Sequence, residues 1–264
     1  MSETYRLLFI GDVVGEGGVE AVSALTPKLR EELELDAVIA NGENSSAGRG
    51  INRSTCEALL EHADFLTLGD HAFDDEEARE LLEEEPRVVR PANFNRESPG
   101  AGWGVFEAGG RRIGVLNLQG RVFMREVSGS PFDAADLALS EIEQAGAECV
   151  VVDFHAEATA EKQALGYYLE GRALAVIGTH THIQTADEKV LPGGTAYLTD
   201  VGMVGGMDGI IGFDREDFLG SILEGNSPKG DVQQGPVEFC AALVELDEQG
   251  RAVELRRVRR ELRR

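Results

Sequence analysis

The strongest constraint on the fold is a series of short apolar segments, each followed by a loop rich in Gly, Asp, Asn or His. They occupy residues 5–10, 36–40, 65–68, 113–118, 149–154, 173–177 and 196–198. Several are apolar nearly throughout, which is typical of strands covered on both faces. Between them, apolar residues recur every three or four positions in residues 19–33 and 132–145, as on one face of a helix. The pattern predicts an α/β fold.

Two further segments have the pattern of β-hairpins. Residues 102–118 surround a Gly109-Gly110 turn, and residues 237–258 surround Gln249-Gly250. Hairpins pair antiparallel, so the predicted sheets are mixed. The chain of 264 residues is at the upper edge of what one domain contains, and no repeat or linker divides it. We therefore predict one domain, residues 1–264.

The charge and the cysteines restrict the partners and the compartment. A net charge of −23 repels duplex nucleic acid and anionic membranes, so neither is expected as a partner. No apolar segment approaches the ~18 residues of a membrane span, and the N terminus lacks a signal-peptide pattern. The three cysteines are far apart and form no CxxC pair. A reducing cytoplasm is the predicted location.

The C-terminal residues 256–264 form a basic cluster on this acidic chain. One interpretation is a contact with RNA or with an acidic neighbouring subunit. The favoured interpretation is that the arginines occupy the exposed side of a final strand, with Val253 and Leu255 on its inward face. We also expect the chain to form a homo-oligomer.

Residue types that bind metals follow five of the predicted strands. Ligand sites in open α/β sheets lie beyond the carboxyl ends of the strands. These positions hold four of the five histidines of the protein. Taken singly, each residue also fits a structural role, such as a cap, an Asx turn or a hydrogen-bonded buried histidine. Together they predict a metal site, and the candidate residues are Asp12, Glu43, Asn44, Asp70, His71, His155, His180 and His182.

His180 and His182 are two residues apart, which in an extended segment directs both imidazoles to one face. Imidazole combined with carboxylate and amide oxygens suits Fe, Mn or Zn, whereas Mg and Ca prefer ligand sets made of oxygen alone. The sequence therefore favours a transition metal ion.

Several of these motifs resemble those of the calcineurin-like metallophosphoesterases. They are Asp12, the Gly-Asp-His at residues 69–71, His155 and the Gly-x-His-x-His at residues 178–182, in the same order along the chain. The resemblance narrows to the bacterial YmdB-like branch and covers essentially the whole chain. The segments that carry it are LLFIGDVVG, NGEN, RPANF, NLQGR, DFHAEATAEKQALG, VIGTHTHIQTAD and GTAYLTDVGM.

The resemblance implies a four-layer α/β/β/α sandwich of two mixed sheets that holds two metal ions, Fe or Mn. It implies a phosphodiesterase that opens 2′,3′-cyclic nucleotides, with His71 as the proton donor near the leaving group. The implied metal ligands are Glu43 as a bridge, Asp12, Asn44 and His182 at one ion, and Asp70, His155 and His180 at the other.

The chain departs from the wider superfamily at two positions. Val14 stands where a histidine usually follows the first aspartate, and we expect Asn44 to compensate for it. Asp70 replaces the usual asparagine and places an anion beside the metal. We expect this charge to tighten metal binding and to weaken the attraction of the metal for the phosphate. In the alternative interpretation, Asp70 only caps a helix that begins near Asp74 and Asp75.

The implied mechanism is an in-line attack on phosphorus by a hydroxide held between the ions. His71 then protonates the leaving oxygen. Arg121 is a candidate contact for the phosphate or the base, and a surface salt bridge is an equally good interpretation. Two other functions stay open at this point. The chain could be a phosphomonoesterase such as a nucleotidase, or a metal-binding regulatory protein that recognises a nucleotide or an RNA end with little turnover.

Overall fold

The structure is a computed structural model that describes residues 4–124, 129–227 and 230–263. Arg264, the last residue of the basic cluster, lies outside the described residues. The strands are β1 (Tyr5–Ile10), β2 (Asp12–Val13), β3 (Ala37–Asn41), β4 (Phe65–Thr67), β5 (Val88–Val89), β6 (Trp103–Ala108), β7 (Arg111–Gln119), β8 (Cys149–His155), β9 (Ala175–Thr179), β10 (Lys189–Val190), β11 (Ala196–Leu198), β12 (Met203–Gly206), β13 (Val237–Leu246) and β14 (Ala252–Leu262). The helices are α1 (Gly15–Leu33), α2 (Arg53–Leu60), α3 (Ala78–Glu84), α4 (Pro131–Gln144), α5 (Thr159–Tyr168) and α6 (Arg215–Leu223).

These strands form two mixed sheets. The first has the order β2-β12-β13-β1-β3-β4-β5, with β14 paired to β13, and the second has the order β10-β11-β9-β8-β7-β6. Strands β1, β3, β4 and β5 are parallel, as are β7, β8, β9 and β11. Both predicted hairpins are present, since β6 pairs antiparallel with β7 and β13 with β14. The prediction of mixed sheets is confirmed.

Three hydrophobic clusters divide the protein into four layers. One packs α1, α2 and α3 on the first sheet, a second lies between the sheets, and a third packs α4 and α5 on the second sheet. Strand β1 shows how the sequence produces these layers, because successive residues of a strand point to opposite faces of the sheet. Leu8 and Ile10 belong to the helix-side cluster, and Leu7 and Phe9 belong to the cluster between the sheets. The predicted α/β/β/α sandwich is confirmed.

The two helices with the clearest periodicity lie where the sequence predicts them. Helix α1 buries Ala21, Val22 and Leu29 against the first sheet. Helix α4 begins after Ser130, whose side chain accepts a hydrogen bond from the backbone of Asp133, with proline in its first turn. None of the described helices combines the length and apolarity needed to cross a membrane.

The basic C-terminal segment forms β14 at the edge of the first sheet. Its arginines lie largely exposed and several pair with acids, as Arg257 does with Glu188 at 2.8 Å. This placement agrees with the favoured interpretation. The prediction for Val253 is wrong, since this residue is 55 % exposed. The register of β13 and β14 shifts there, so that Val253 is an extra residue facing no partner, as in a β-bulge.

Candidate metal centre

The predicted site residues meet where the carboxyl ends of strands from both sheets face each other. In the first sheet, Asp12 comes just after β1, Glu43 after β3 and Asp70 after β4. In the second sheet, His155 is the last residue of β8 and His180 follows β9. Parallel strands place their carboxyl ends at one edge, which is why residues far apart in the sequence converge here.

Four side chains lie close enough together to hold one metal ion, and we call these candidate ligands the first ligand group: Glu43, Asp70, His155 and His180. One ligand atom from each lies within 4.8 Å of the others. Glu43 Oε1 and Asp70 Oδ1 are both 3.0 Å from His155 Nε2. His180 Nδ1 is also 3.0 Å from that nitrogen and 3.3 Å from Asp70 Oδ1. Two imidazoles and two carboxylates around one point are the donor set that suits Fe, Mn or Zn.

Asp12, Asn44 and His182 lie beside this group, and we call these further candidate ligands the second ligand group. The amide nitrogen of Asn44 is 3.2 Å from His182 Nε2 and donates to Glu43 Oε1 at 3.2 Å. Asp12 is completely buried, and its Oδ1, 4.0 Å from His182 Nε2, has no hydrogen-bond partner among the described residues. A buried carboxylate oxygen without a partner is strongly unfavourable. A metal ion at this position would satisfy it, so the residues fit a metal site.

The orientation of two imidazoles is fixed from outside the site. Thr179 Oγ1 donates to Asp153 Oδ1 at 2.7 Å, so it accepts a hydrogen bond from His155 Nδ1 at 2.9 Å. His182 Nδ1 donates to the carbonyl of Ile211 at 2.8 Å. In both rings Nε2 is left to face the site. Metal-binding histidines are typically held in this way.

The pKa values at the centre reflect burial and the close pairing of carboxylates with histidines. Burial raises the pKa of Asp12. Burial also acts to raise the pKa values of Glu43 and Asp70, but their interactions with His155 outweigh it, and both pKa values lie below the ordinary range. Burial opposes protonation of His155, yet the carboxylates raise its pKa well above the ordinary value. The centre therefore favours a bound positive charge.

The predicted extended conformation around the two neighbouring histidines is wrong. Strand β9 ends at Thr179, and His180 and His182 lie in a turn with φ of 97° and 65°. The chain is held away from the strand direction because the Lys162 ammonium donates to the Thr179 carbonyl at 2.7 Å and Asp200 accepts from the Thr181 N–H at 3.1 Å. Both imidazoles still reach the site, but they join different ligand groups.

Gly69, in the Gly-Asp-His motif, is needed because the site is crowded. A Cβ atom on Gly69 would lie 2.3 Å from Glu43 Oε2 and 2.3 Å from the His155 ring. Any larger residue would push apart two of the side chains that form the ligand group.

His71 lies at the edge of the centre and outside the ligand group. Its Nε2 is 3.7 Å from Asp70 Oδ2, while its Nδ1 is 2.7 Å from the carboxylate of Asp74, which orients the ring. The sequence did not indicate this role for Asp74. Helix α3 begins at Ala78 with Glu77 as its N-cap, and the Asp70 carboxylate contacts histidines. Asp70 therefore does not cap that helix.

One candidate residue lies away from the centre, and one buried ion pair beside the centre was not predicted. Arg121 is not among the described residues that line the cavity over the centre. Its backbone N–H donates to the Glu161 carboxylate at 3.0 Å. Lys162 and Asp200 form a buried ion pair at 2.6 Å behind the histidine turn. Lysine is normally exposed, and no sequence signal marked this one as buried.

Two facing mixed sheets, with carboxylates, an amide and imidazoles converging at their strand ends, define a metallophosphoesterase-like hydrolase. The sequence profile of the YmdB-like protein family matches residues 8–258. A 2′,3′-cyclic-nucleotide 2′-phosphodiesterase from Bacillus subtilis is 42 % identical over 255 residues, which cover 96 % of this chain and 96 % of that protein. The chain thus belongs to the YmdB-like family, and the predictions of the family and of an enzyme are confirmed.

Solved structures agree with this assignment. A hypothetical protein from Thermus thermophilus superimposes with a TM-score of 0.90 at 44 % identity, covering 97 % of this chain and 99 % of that one. A novel phosphatase from Mycoplasma pneumoniae gives a TM-score of 0.91 at 28 % identity, covering 99 % and 95 %.

Proposed function

We propose that this chain hydrolyses small phosphodiesters, 2′,3′-cyclic nucleotides foremost, with two metal ions, Fe or Mn. The observation that carries the proposal is the ligand group within 4.8 Å next to the unpartnered oxygen of buried Asp12. The Bacillus subtilis relative, named as a 2′,3′-cyclic-nucleotide 2′-phosphodiesterase, supports this substrate. When bound, two such ions provide an activated water at neutral pH and neutralise phosphate oxygens.

Glu43 would bridge the ions. It lies 3.0 Å from His155 Nε2 in the first ligand group and accepts from the Asn44 amide in the second. On this assignment Asp70, His155 and His180 complete one site, and Asp12, Asn44 and His182 complete the other. The Asp70 carboxylate adds a negative charge that strengthens ion binding.

His71 would be the general acid. It lines the cavity beside the ligand group, and the hydrogen bond from its Nδ1 to Asp74 leaves Nε2 free to give a proton to the leaving oxygen. Proton donation of this kind typically accelerates a reaction by ~10²–10⁴-fold.

We further propose that the chain acts in the cytoplasm as a single domain, residues 1–264, within a homo-oligomer. Burial raises the pKa of each thiol, Cys56, Cys149 and Cys240, to about 12. These free, buried thiols stay protonated, which is compatible with a reducing compartment.

Metal analysis together with an activity panel tests the proposed function. The purified chain should carry about two transition metal ions and turn over cyclic nucleotides faster than linear diesters or monoesters. A preference for monoesters would instead identify a phosphomonoesterase such as a nucleotidase. Nucleotide or RNA-end binding without turnover would identify a regulatory protein.

A further inference from the structure

The cavity over the metal centre has an apolar wall that phosphate chemistry does not use. Its volume is about 660 Å³, within the range of small-molecule sites. His71, His180 and His182 line the end at the ligand groups. The apolar lining residues are Phe123, Met124, Ile211, Phe213 and Phe218. A phosphate group alone would leave this wall without a function.

Phe123 is the most unusual residue of this wall. The residue is 84 % exposed, more than any other large apolar residue in the described ranges. Its φ of 66° lies in the left-handed region, which bulky residues rarely adopt. The backbone before it is anchored, because the N–H groups of Arg121 and Val122 donate to the Glu161 carboxylate at 3.0 and 3.1 Å. Packing within the described residues does not explain this exposed, anchored ring.

Arg49 is the one Lys or Arg among the described residues that line the cavity. Its guanidinium forms no salt bridge within the part of the chain that is described, although the net charge of the protein is −23. Its backbone is well held, since the Arg49 N–H donates to the Ser46 carbonyl at 2.9 Å and Ser46 Oγ donates to Asp75 at 2.6 Å. The cavity thus presents one exposed guanidinium that has no salt-bridge partner among the described residues.

We propose that the cavity binds the base of a nucleotide against the Phe123 ring while Arg49 contacts its phosphate. The inference rests on the proposed function, because the reacting phosphate must lie over the ligand groups. Aromatic rings stack on any base, so this subsite selects for a base without selecting strongly among bases. Guanidinium groups match phosphate oxygens in charge and geometry. The substrates would be nucleoside cyclic phosphates of broad base specificity.

The test compares two substrates that differ in the base. They are adenosine 2′,3′-cyclic phosphate and glycerol 1,2-cyclic phosphate, which has the reacting ring but no base. Phe123→Ala should lower kcat/KM for the nucleotide roughly ten-fold, mainly through KM, and leave the glycerol ester unchanged. Phe123→Trp should retain activity on both. Arg49→Met should lower kcat/KM for both substrates alike, because both carry the phosphate.

Tyr167→Ala is the matched control, since this aromatic side chain is 57 % exposed on α5 and does not line the cavity. Tyr167→Ala should leave kcat/KM unchanged for both substrates. Equal effects of Phe123→Ala on both substrates, or none, would overturn the proposed stacking. If Phe123→Ala instead changed the molecular mass of the protein in solution and left KM unchanged, Phe123 would be a subunit contact, and the proposed stacking would be overturned.

Calorimetry with adenosine 3′-monophosphate separates this inference from the proposed reaction. If the wild-type chain hydrolyses neither ester yet binds this nucleotide with an affinity that falls in Phe123→Ala, the base subsite stands and the proposed reaction fails. If both esters are hydrolysed but nucleotide binding is unaffected by Phe123→Ala, the reaction stands and the base subsite fails.

Discussion

The buried ion pair behind the histidine turn gives a quantitative prediction. Lys162 is 1 % exposed and its Nζ lies 2.6 Å from the carboxylate of fully buried Asp200. The same ammonium donates to the Thr179 carbonyl at 2.7 Å. Asp200 also accepts hydrogen bonds from the N–H groups of Thr181 and Gly202. The substitution Lys162→Met removes the positive charge and keeps most of the side-chain volume.

Removing one partner of a buried pair costs ~3–5 kcal/mol, because the remaining charge is left in a low-dielectric environment. The two backbone N–H groups still solvate Asp200, so we expect the lower end, about 3 kcal/mol. For a chain of this size, a urea m-value of about 3 kcal/mol per molar converts this into a midpoint about 1 M lower. Lys162→Met with Asp200→Asn should recover much of the loss, since no isolated charge remains.

Urea unfolding followed by circular dichroism measures both variants. Arg53→Met is the control, because its salt bridge with Glu84 is exposed to solvent and should contribute little to stability. Lys162→Met should also take up less metal, since Lys162 holds the turn that carries His180. A loss below about 1 kcal/mol, or a double variant no more stable than the single one, would refute the reasoning.

Three further variants test the metal centre. His71→Ala should keep its metal content but lose ~10²–10⁴-fold on esters with poor leaving groups and much less on activated aryl diesters; equal losses would remove His71 from the acid role. Glu43→Gln should lower the occupancy of both metal sites together, as measured by metal analysis. Two fully occupied sites in this variant would show that Glu43 does not bridge the ions. Asp70→Asn should weaken metal affinity, raise turnover at saturating metal and move the acidic limb of the pH–rate profile, which reports the metal-bound water, to lower pH, because one negative charge beside the ions is lost. Unchanged affinity and pH profile would show that Asp70 is not a ligand.

The sequence by itself determined most of the strands and the edge of the sheets at which the site lies, although the short strands β2, β5, β10 and β12 were not predicted. Strands such as β3 and β8 are buried at every residue, so their apolar segments carry an unambiguous signal. The residues that follow parallel strands share one edge whatever the detailed packing. For this reason Asp12, His155 and the other predicted ligands could be placed together before any contact was known.

Only the tertiary structure decided how individual side chains are oriented. The histidine turn depends on Lys162 and Asp200, which are 38 residues apart, and local periodicity does not encode such a pair. The bulge that exposes Val253 arises from the register with the opposite strand. The bond between His155 and Thr179, and the exposure of Phe123, likewise depend on packing between distant segments. Burial of a charge or exposure of a ring is fixed by what surrounds it, and those surroundings exist only once both sheets have come together.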